Sequence, residues 1–157
     1  MGAGVSGEPV GGHVRIFVFF FAVLLATAAQ ADEAANKVLV LDLYENVIAG
    51  GDIARADQLL RADYIQHNPN VPTGREGFKT YFSELHEQVD IALEVLDIRA
   101  DGDMVMIHVR QVVTSSVGEI SIIAYDRFRI EDGKVAEHWD VIMGESFWDR
   151  LLLEIMG

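Results

Sequence analysis

The sequence predicts an α+β fold in which three N-terminal helices pack on a curved antiparallel sheet. Apolar residues recur at helical spacing through the first half of residues 32–157, and they alternate with polar residues through the second half. The 157-residue chain contains no Cys, so the hydrophobic core must hold the fold without disulfides and without thiolate metal ligands. Helices followed by strands in this order are typical of an α+β domain.

The N-terminal segment is typical of a secretory signal peptide. An uncharged apolar run at residues 16–29 follows Arg15, and Ala29-Gln30-Ala31 supplies the small residues of a cleavage site. The run is short for a membrane-spanning helix, which needs about 20 residues. We therefore predict a signal peptide over residues 1–31 and one domain over residues 32–157, exported to the periplasm or the cell exterior. An uncleaved signal anchor is the main alternative, and the start Met1-Gly2 with Ser6 also fits an N-myristoylation pattern.

The chain is strongly acidic. It has 12 Lys and Arg against 25 Asp and Glu, which gives a formal net charge of −13. Glu8 and Arg15 cancel within the predicted signal peptide, so the exported domain keeps the whole deficit. Such a surface repels phosphate backbones and anionic lipid headgroups, so we expect no nucleic-acid partner.

Three helices are predicted in the first half of the domain. Apolar residues recur every three or four positions through residues 33–49, and Gly50-Gly51 ends that helix. Asp52 is a predicted N-cap of a second, short helix. After an extended piece at residues 64–69, a third helix starts near Arg75. Its apolar stripe consists of Phe78, Tyr81, Phe82, Leu85 and Val89.

Four strands are predicted in the second half. The apolar parity of the first strand changes between Val95 and Leu96, and a change of this kind predicts a β-bulge. Turns at residues 101–103, 116–118 and 131–133 separate this strand from the next three.

The hairpin registers decide which polar side chains share a face of the sheet. A three-residue loop ending at Gly133 pairs Asp126 with His138, whereas a two-residue loop pairs Asp126 with Trp139; we favour the first. A loop at residues 116–118 then pairs His108 with Asp126. Trp139 falls on the opposite face, beside Tyr125. The predicted shared face carries Met104, Met106, His108, Arg110, Ile122, Ala124, Asp126, Phe128, Ala136, His138, Asp140 and Ile142.

The middle of this face is ionisable and its ends are apolar. If the face is concave, the acids and histidines lie inside a hydrophobic cavity, where a proton-transfer site becomes feasible. A mutually satisfied structural network is the alternative, above all for Asp126. The histidines lack the local spacing of metal ligands, so we expect no metal.

Two segments resemble the SnoaL-like polyketide cyclase branch of the NTF2-like superfamily. One is Tyr64-Ile65-Gln66-His67-Asn68-Pro69, followed by Gly74-Arg75-Glu76-Gly77. The other contains Asp132-Gly133-Lys134 and then Glu137-His138-Trp139-Asp140. The resemblance covers about residues 33–142. It implies an NTF2-like cone of helices over a bent sheet, and a homodimer formed through the outer face of that sheet.

The same resemblance implies a reaction. The cyclases close a ring by intramolecular aldol condensation without metal or organic cofactor, which implies Asp140 as acid/base and His67 or His108 as its assistant. The remaining side chains of the predicted pocket would bind the substrate; they are Asp126, His138, Arg110, Met106 and Phe82.

Two functions follow from these observations. The first is a cofactor-independent lyase or isomerase acting on a small apolar carbonyl compound, because removal of a proton beside a carbonyl needs a base and a donor to the developing oxyanion. The second is a non-catalytic exported protein that binds a hydrophobic ligand or partner. Acids clustered with histidines on an inward face favour the enzyme, since a pure binding pocket needs no base.

Overall fold

The computed structural model describes Met1 and residues 32–145. The described residues from Glu33 onward form one compact unit, and the fold below is that of this unit. Residues 2–31 of the predicted signal peptide lie outside the described residues, so the signal peptide stays a prediction. Within the described part of the chain, no helix is both long enough and apolar enough to cross a membrane.

The three predicted helices are present. Helix α1 includes residues 32–42 and continues as the π-helical turn Leu43–Ile48. The side chain of Asp52 accepts a hydrogen bond from the backbone N–H of Arg55 in the 3-10 turn Ile53–Arg55, which confirms the predicted cap. Helix α2 follows at Ala56–Leu59, and helix α3 covers Arg75–His86.

Five strands form one sheet in the order β1-β5-β4-β3-β2. Their bounds are Leu60–Gln66 for β1, Val89–Asp101 for β2, Met104–Ser115 for β3, Gly118–Glu131 for β4 and Lys134–Gly144 for β5. The last four strands form the predicted antiparallel series. Strand β1 adds to β5 in parallel, and this pairing brings Gln66 opposite His138.

The predicted bulge in β2 is confirmed. Val95 pairs with Val109 and Asp97 pairs with His108, which leaves Leu96 unpaired between them. The extra residue restores an inward position to Ile98, which packs against the core.

The β4–β5 hairpin differs from the favoured register. Its turn has two residues, Asp132 and Gly133, with φ angles of 53° and 69°. These positive angles are those of a type I′ turn, and Asp and Gly both tolerate this left-handed conformation. A second irregularity leaves Ala136 unpaired. Asp126 therefore pairs with Asp140 rather than with His138. The actual register differs from the favoured one by two residues, so the predicted face is right although the partners are wrong.

The β3–β4 hairpin overturns a larger part of the prediction. Ser115 pairs with Gly118, so the loop is one residue shorter than predicted, and His108 pairs with Tyr125. A shift of one residue moves every side chain of a strand to the other face. Met106, His108 and Arg110 therefore lie on the outer face of the sheet, and their predicted place in the cavity is wrong.

The core explains this register. The alternate residues Val105, Ile107 and Val109 are at most 2% exposed and face the helices. Burial of one such side chain contributes about 1.5–3 kcal/mol relative to exposure, so the three together favour the observed register over one that buries a histidine and an arginine. The same buried cluster includes Val40 of helix α1 and Leu43 and Val47 of the π-helical turn that follows it.

Candidate active site

A cavity of about 280 Å³ lies between the helices and the concave face of the sheet. Its aromatic wall consists of Tyr44, Tyr64, Phe78, Tyr81, Phe82 and Phe128. Its polar side chains are Gln66, Asn68, Asn70, Gln111, Asp126, His138 and Asp140. None of the described lining residues is Lys or Arg. A small apolar pocket with a few convergent polar groups is typical of a small-molecule site.

The first polar group of the cavity is a chain of three buried side chains. The Tyr44 hydroxyl donates to Oδ2 of Asp126 over 2.5 Å, and Oδ1 of Asp126 lies 2.8 Å from Nε2 of His138. Asp126 and His138 are 5% and 7% exposed. The His138 ring stacks on Phe128 with 4.3 Å between centroids. Both oxygens of Asp126 therefore have a protein partner, and the imidazole is held rigidly.

The second polar group contains Asp140. Its Oδ2 accepts a hydrogen bond of 2.6 Å from Nδ2 of Asn68. Its Oδ1 has no hydrogen-bond partner among residues 32–145. One oxygen of Asp140 is thus fixed while the other can face a bound molecule.

The two groups are adjacent in space. Asp126, His138 and Asp140 each offer one polar atom within 4.8 Å of the others. Three such atoms could hold a metal ion. However, Asp126 and His138 already bond to each other, so an ion would have to replace that contact. The expected absence of a metal stays a prediction.

Burial raises the pKa of the tyrosine hydroxyl groups of the cavity. It raises the pKa of Tyr44 and of Tyr64 well above the ordinary value, and the nearby charges of Asp126 and Asp140 add to the effect. The pKa of Tyr81 is raised by the same two causes, burial first and then the charge of Asp140. All three hydroxyls are therefore neutral hydrogen-bond donors at physiological pH.

Four residues that the sequence assigned to the pocket line the cavity: Asp140, Asp126, His138 and Phe82. His67 does not. Its Nε2 lies 2.8 Å from Oε1 of Glu137, and its ring stacks on Trp139 at the outer face. The expected contact between His67 and Asp140 is therefore wrong.

The other three predicted site residues lie on the outer face. Arg110 forms ion pairs with Glu94 and Glu145. His108 stacks on Tyr125 with 4.0 Å between ring centroids, so Asp126 does not lie between two histidines as expected. Met106 is 47% exposed. Trp139 lies on the other face of the sheet from Asp140, as predicted. Its neighbour is Arg127 and not Tyr125, and the guanidinium carbon of Arg127 is 4.5 Å from the ring centroid.

Four residues of the site were not predicted from the sequence: Tyr44, Tyr64, Gln66 and Asn68. A signal for three of them was present, because alternate residues of an extended segment share a face. Tyr64, Gln66 and Asn68 line the cavity, whereas the intervening His67 is exposed. The period of two thus selects the residues on either side of the histidine. Tyr44 carried no such signal, since its spacing in helix α1 is that of an ordinary core residue.

Residues 40–138 match the family model of the SnoaL-like domain. The match covers more than half of the chain, and the protein therefore belongs to the SnoaL-like family. Its α+β architecture, with helices over a five-stranded curved sheet, is the NTF2-like cone fold.

Solved structures show the same fold. TsrD from Streptomyces laurentii is 26% identical, with a TM-score of 0.64 over 71% of this chain and 90% of TsrD. An LEH-like epoxide hydrolase from M. tuberculosis is 16% identical, with a TM-score of 0.65 over 80% of this chain and 92% of the other. A proposed SnoaL-like polyketide cyclase from Jannaschia sp. CCS1 is 19% identical, with a TM-score of 0.65 over 80% and 91%. No curated protein matches the sequence significantly.

Proposed function

We propose that the protein is a cofactor-independent lyase or isomerase that moves a proton on a small, uncharged carbonyl compound. The observation that supports this most is the hydrogen bonding of the Asp140 carboxylate. Asn68 holds one of its carboxylate oxygens, and the other faces a largely apolar cavity without a partner among the described residues. A carboxylate in this situation is suited to accept a proton from carbon.

The reaction begins with Asp140 as general base. It takes a proton from the carbon next to the carbonyl, and the electron pair of the broken C–H bond forms the enolate. The Tyr64 hydroxyl, neutral and 1% exposed, donates a hydrogen bond to the enolate oxygen. In an isomerisation, protonated Asp140 returns its proton to another carbon. In an aldol closure, the enolate carbon attacks a second carbonyl of the same molecule, and protonated Asp140 returns its proton to the alkoxide that forms.

The charges of the cavity limit the substrate. Its lining carries two acids and one histidine and, among the described residues, no Lys or Arg. An anionic substrate would therefore meet repulsion without a compensating cation. The volume of about 280 Å³ suits one or two fused rings. Two solved structures of the same fold, the proposed polyketide cyclase from Jannaschia sp. CCS1 and the M. tuberculosis epoxide hydrolase, support a reaction on a small organic molecule in the cavity.

The test uses 1-indanone as an uncharged probe ketone in D₂O, with NMR following the replacement of its α-protons by deuterium. We expect the wild-type protein to accelerate the exchange and Asp140→Asn to lower that rate by about 10²–10⁴. Asp90→Asn, a change at an exposed position of β2, is the matched control and should keep the wild-type rate. An Asp140→Asn variant that exchanges at the wild-type rate would overturn the assignment of Asp140 as the base. A carboxylated indanone should exchange more slowly than 1-indanone.

A non-catalytic ligand carrier is the second candidate. The observation in its favour is the saturated Tyr44–Asp126–His138 chain, which meets its own hydrogen-bonding needs without a ligand. Under this function 1-indanone would bind in calorimetry, the wild-type protein would not accelerate exchange, and Asp140→Asn would change affinity alone.

A further inference from the structure

The side-chain amide of Gln66 lies between three groups of the cavity. Gln66 is the last residue of β1 and pairs with His138 across the parallel contact to β5. Its Oε1 accepts a hydrogen bond of 3.0 Å from the backbone N–H of Asn68 and lies 3.0 Å from Nδ1 of His138. Its Nε2 donates to the Tyr64 hydroxyl oxygen over 3.1 Å.

The orientation of this amide is fixed by the backbone. A backbone N–H can only donate, so the Gln66 atom that faces Asn68 must be the oxygen. Rotation of the amide by 180° would place its NH₂ group against that N–H. The same oxygen faces Nδ1 of His138, so this nitrogen must carry a hydrogen.

The tautomer of His138 limits where protons can lie. With a hydrogen fixed on Nδ1, only one proton remains variable between Nε2 and Asp126. That contact is either neutral imidazole with a carboxylic acid or imidazolium with a carboxylate. In both states the Nδ1–H is donated to Oε1 of Gln66 and is not available to a bound molecule.

The other end of the amide acts on Tyr64. A phenol oxygen that accepts a hydrogen bond from Nε2 must direct its own hydrogen elsewhere. No acceptor for this hydrogen lies among residues 32–145, and the buried hydroxyl belongs to a ring that lines the cavity. A substrate oxygen would supply the missing acceptor.

We propose that Gln66 is a positioning residue, whose amide sets the tautomer of His138 and directs the Tyr64 hydroxyl hydrogen into the cavity. The second part rests on the proposed function, since it assigns Tyr64 to the substrate oxygen. The first part is independent of any reaction.

Two substitutions separate the two ends of the amide. Gln66→Glu keeps an acceptor for His138 and Asn68 but loses the donor to Tyr64, whose hydroxyl would then turn to the new carboxylate. Gln66→Met has a similar length and loses both. Gln88→Glu, at an exposed position after helix α3, is the control for the added charge. Urea unfolding of each variant verifies that the fold is kept.

The first readout is the ¹⁵N spectrum of His138, assigned with a His138→Asn variant. We expect a protonated Nδ1 in the wild type and in Gln66→Glu, and loss of that fixed state in Gln66→Met. A spectrum unchanged in Gln66→Met would overturn the tautomer assignment. This readout needs no activity, so it decides the point even if the protein exchanges no protons.

The second readout is a double-mutant cycle on 1-indanone exchange. We expect Tyr64→Phe and Gln66→Glu each to lower the rate by about 10²-fold, in the range for loss of one oxyanion donor. The double variant should be no slower than Tyr64→Phe alone, because Gln66 acts through the hydroxyl that is already absent. Multiplying losses would overturn the assignment. An inactive wild type would instead contradict the proposed function and, with it, the role of Tyr64.

Discussion

Nδ2 of Asn68 donates a hydrogen bond of 2.6 Å to Oδ2 of Asp140, although the two residues are 72 positions apart in the chain. The parallel pairing of β1 with β5 makes this contact possible, since it aligns Gln66 with His138. Asn68 follows two residues after the end of β1, and Asp140 lies two residues further along β5. The proposed base is therefore oriented by a strand that joins the sheet from the first half of the chain.

Asn68→Asp should disable this base. Two carboxylates would then lie at the distance of the present hydrogen bond, and their repulsion favours retention of one proton between them. We expect 1-indanone exchange near pH 7 to fall by about 10²-fold, measured by NMR from pH 5 to 9. Gln88→Glu, at an exposed position after helix α3, is the control for added charge. A wild-type rate in Asn68→Asp would show that Asn68 does not act on the base.

Most of the fold could be predicted from the sequence because the spacing of apolar residues and the residues that begin or end each helix and strand are local properties. The change of parity at Leu96 predicted the bulge that the strand pairing shows. The cap at Asp52 likewise needed only its neighbours in the chain. Neither feature depends on a contact distant in sequence.

The site was less predictable because it depends on hairpin length. One residue fewer in the β3–β4 loop moved His108 to the outer face. Val105, Ile107 and Val109 carried the deciding information, since three β-branched apolar residues at alternate positions favour the buried face. The parallel contact of β1 with β5 involves strands far apart in the chain, and no local pattern predicted the meeting of Asn68 with Asp140.

Tyr44→Phe should destabilise the fold. The change removes the hydroxyl that donates to buried Asp126 and leaves one carboxylate oxygen without a partner. The expected loss in the free energy of unfolding is about 1–3 kcal/mol, measured by urea denaturation at pH 7. Tyr81→Phe is the matched control, because its ring lies in the same cavity, and it should stay within about 0.5 kcal/mol of wild type. Equal stability of the two variants would contradict a stabilising role for the Tyr44 hydroxyl.

The buried tyrosines also predict an alkaline limit of stability. Burial, followed by nearby carboxylate charge, raises the pKa of Tyr44 and Tyr64 in the folded state above the ordinary value of 10.0. The unfolded chain ionises these groups first, so their contribution is complete below pH 10 and is lost as the pH rises toward the folded pKa. Each group should lower the free energy of unfolding by about 1.4 kcal/mol per pH unit above pH 10.

The measurement is urea unfolding between pH 9 and 11.5. Tyr44→Phe removes one of the tyrosines whose pKa is raised in the folded state, so its stability should decline less steeply with pH than that of the wild type. The control is Ile107→Val, because this change in the same core removes no ionisable group and should leave the wild-type slope. Identical slopes for wild type and Tyr44→Phe would show that the Tyr44 hydroxyl ionises equally in both states.

The outer face of the sheet leads to the last prediction. We propose that two copies of the chain associate through it. Met106, Tyr125, Val141 and Met143 are between 47% and 59% exposed, and register pairs Tyr125 directly with Val141. Contiguous apolar surface of this kind marks association in soluble proteins. Sedimentation velocity at micromolar concentration should therefore give the mass of a dimer.

Tyr125→Arg should shift the measured mass to that of the monomer, because each copy would place a charge in the buried contact. Val117→Arg is the control, since Val117 is 93% exposed at the β3–β4 turn, and it should remain dimeric. A monomeric wild type at tens of micromolar would refute the dimer, and a dimer that survives Tyr125→Arg would place the contact elsewhere.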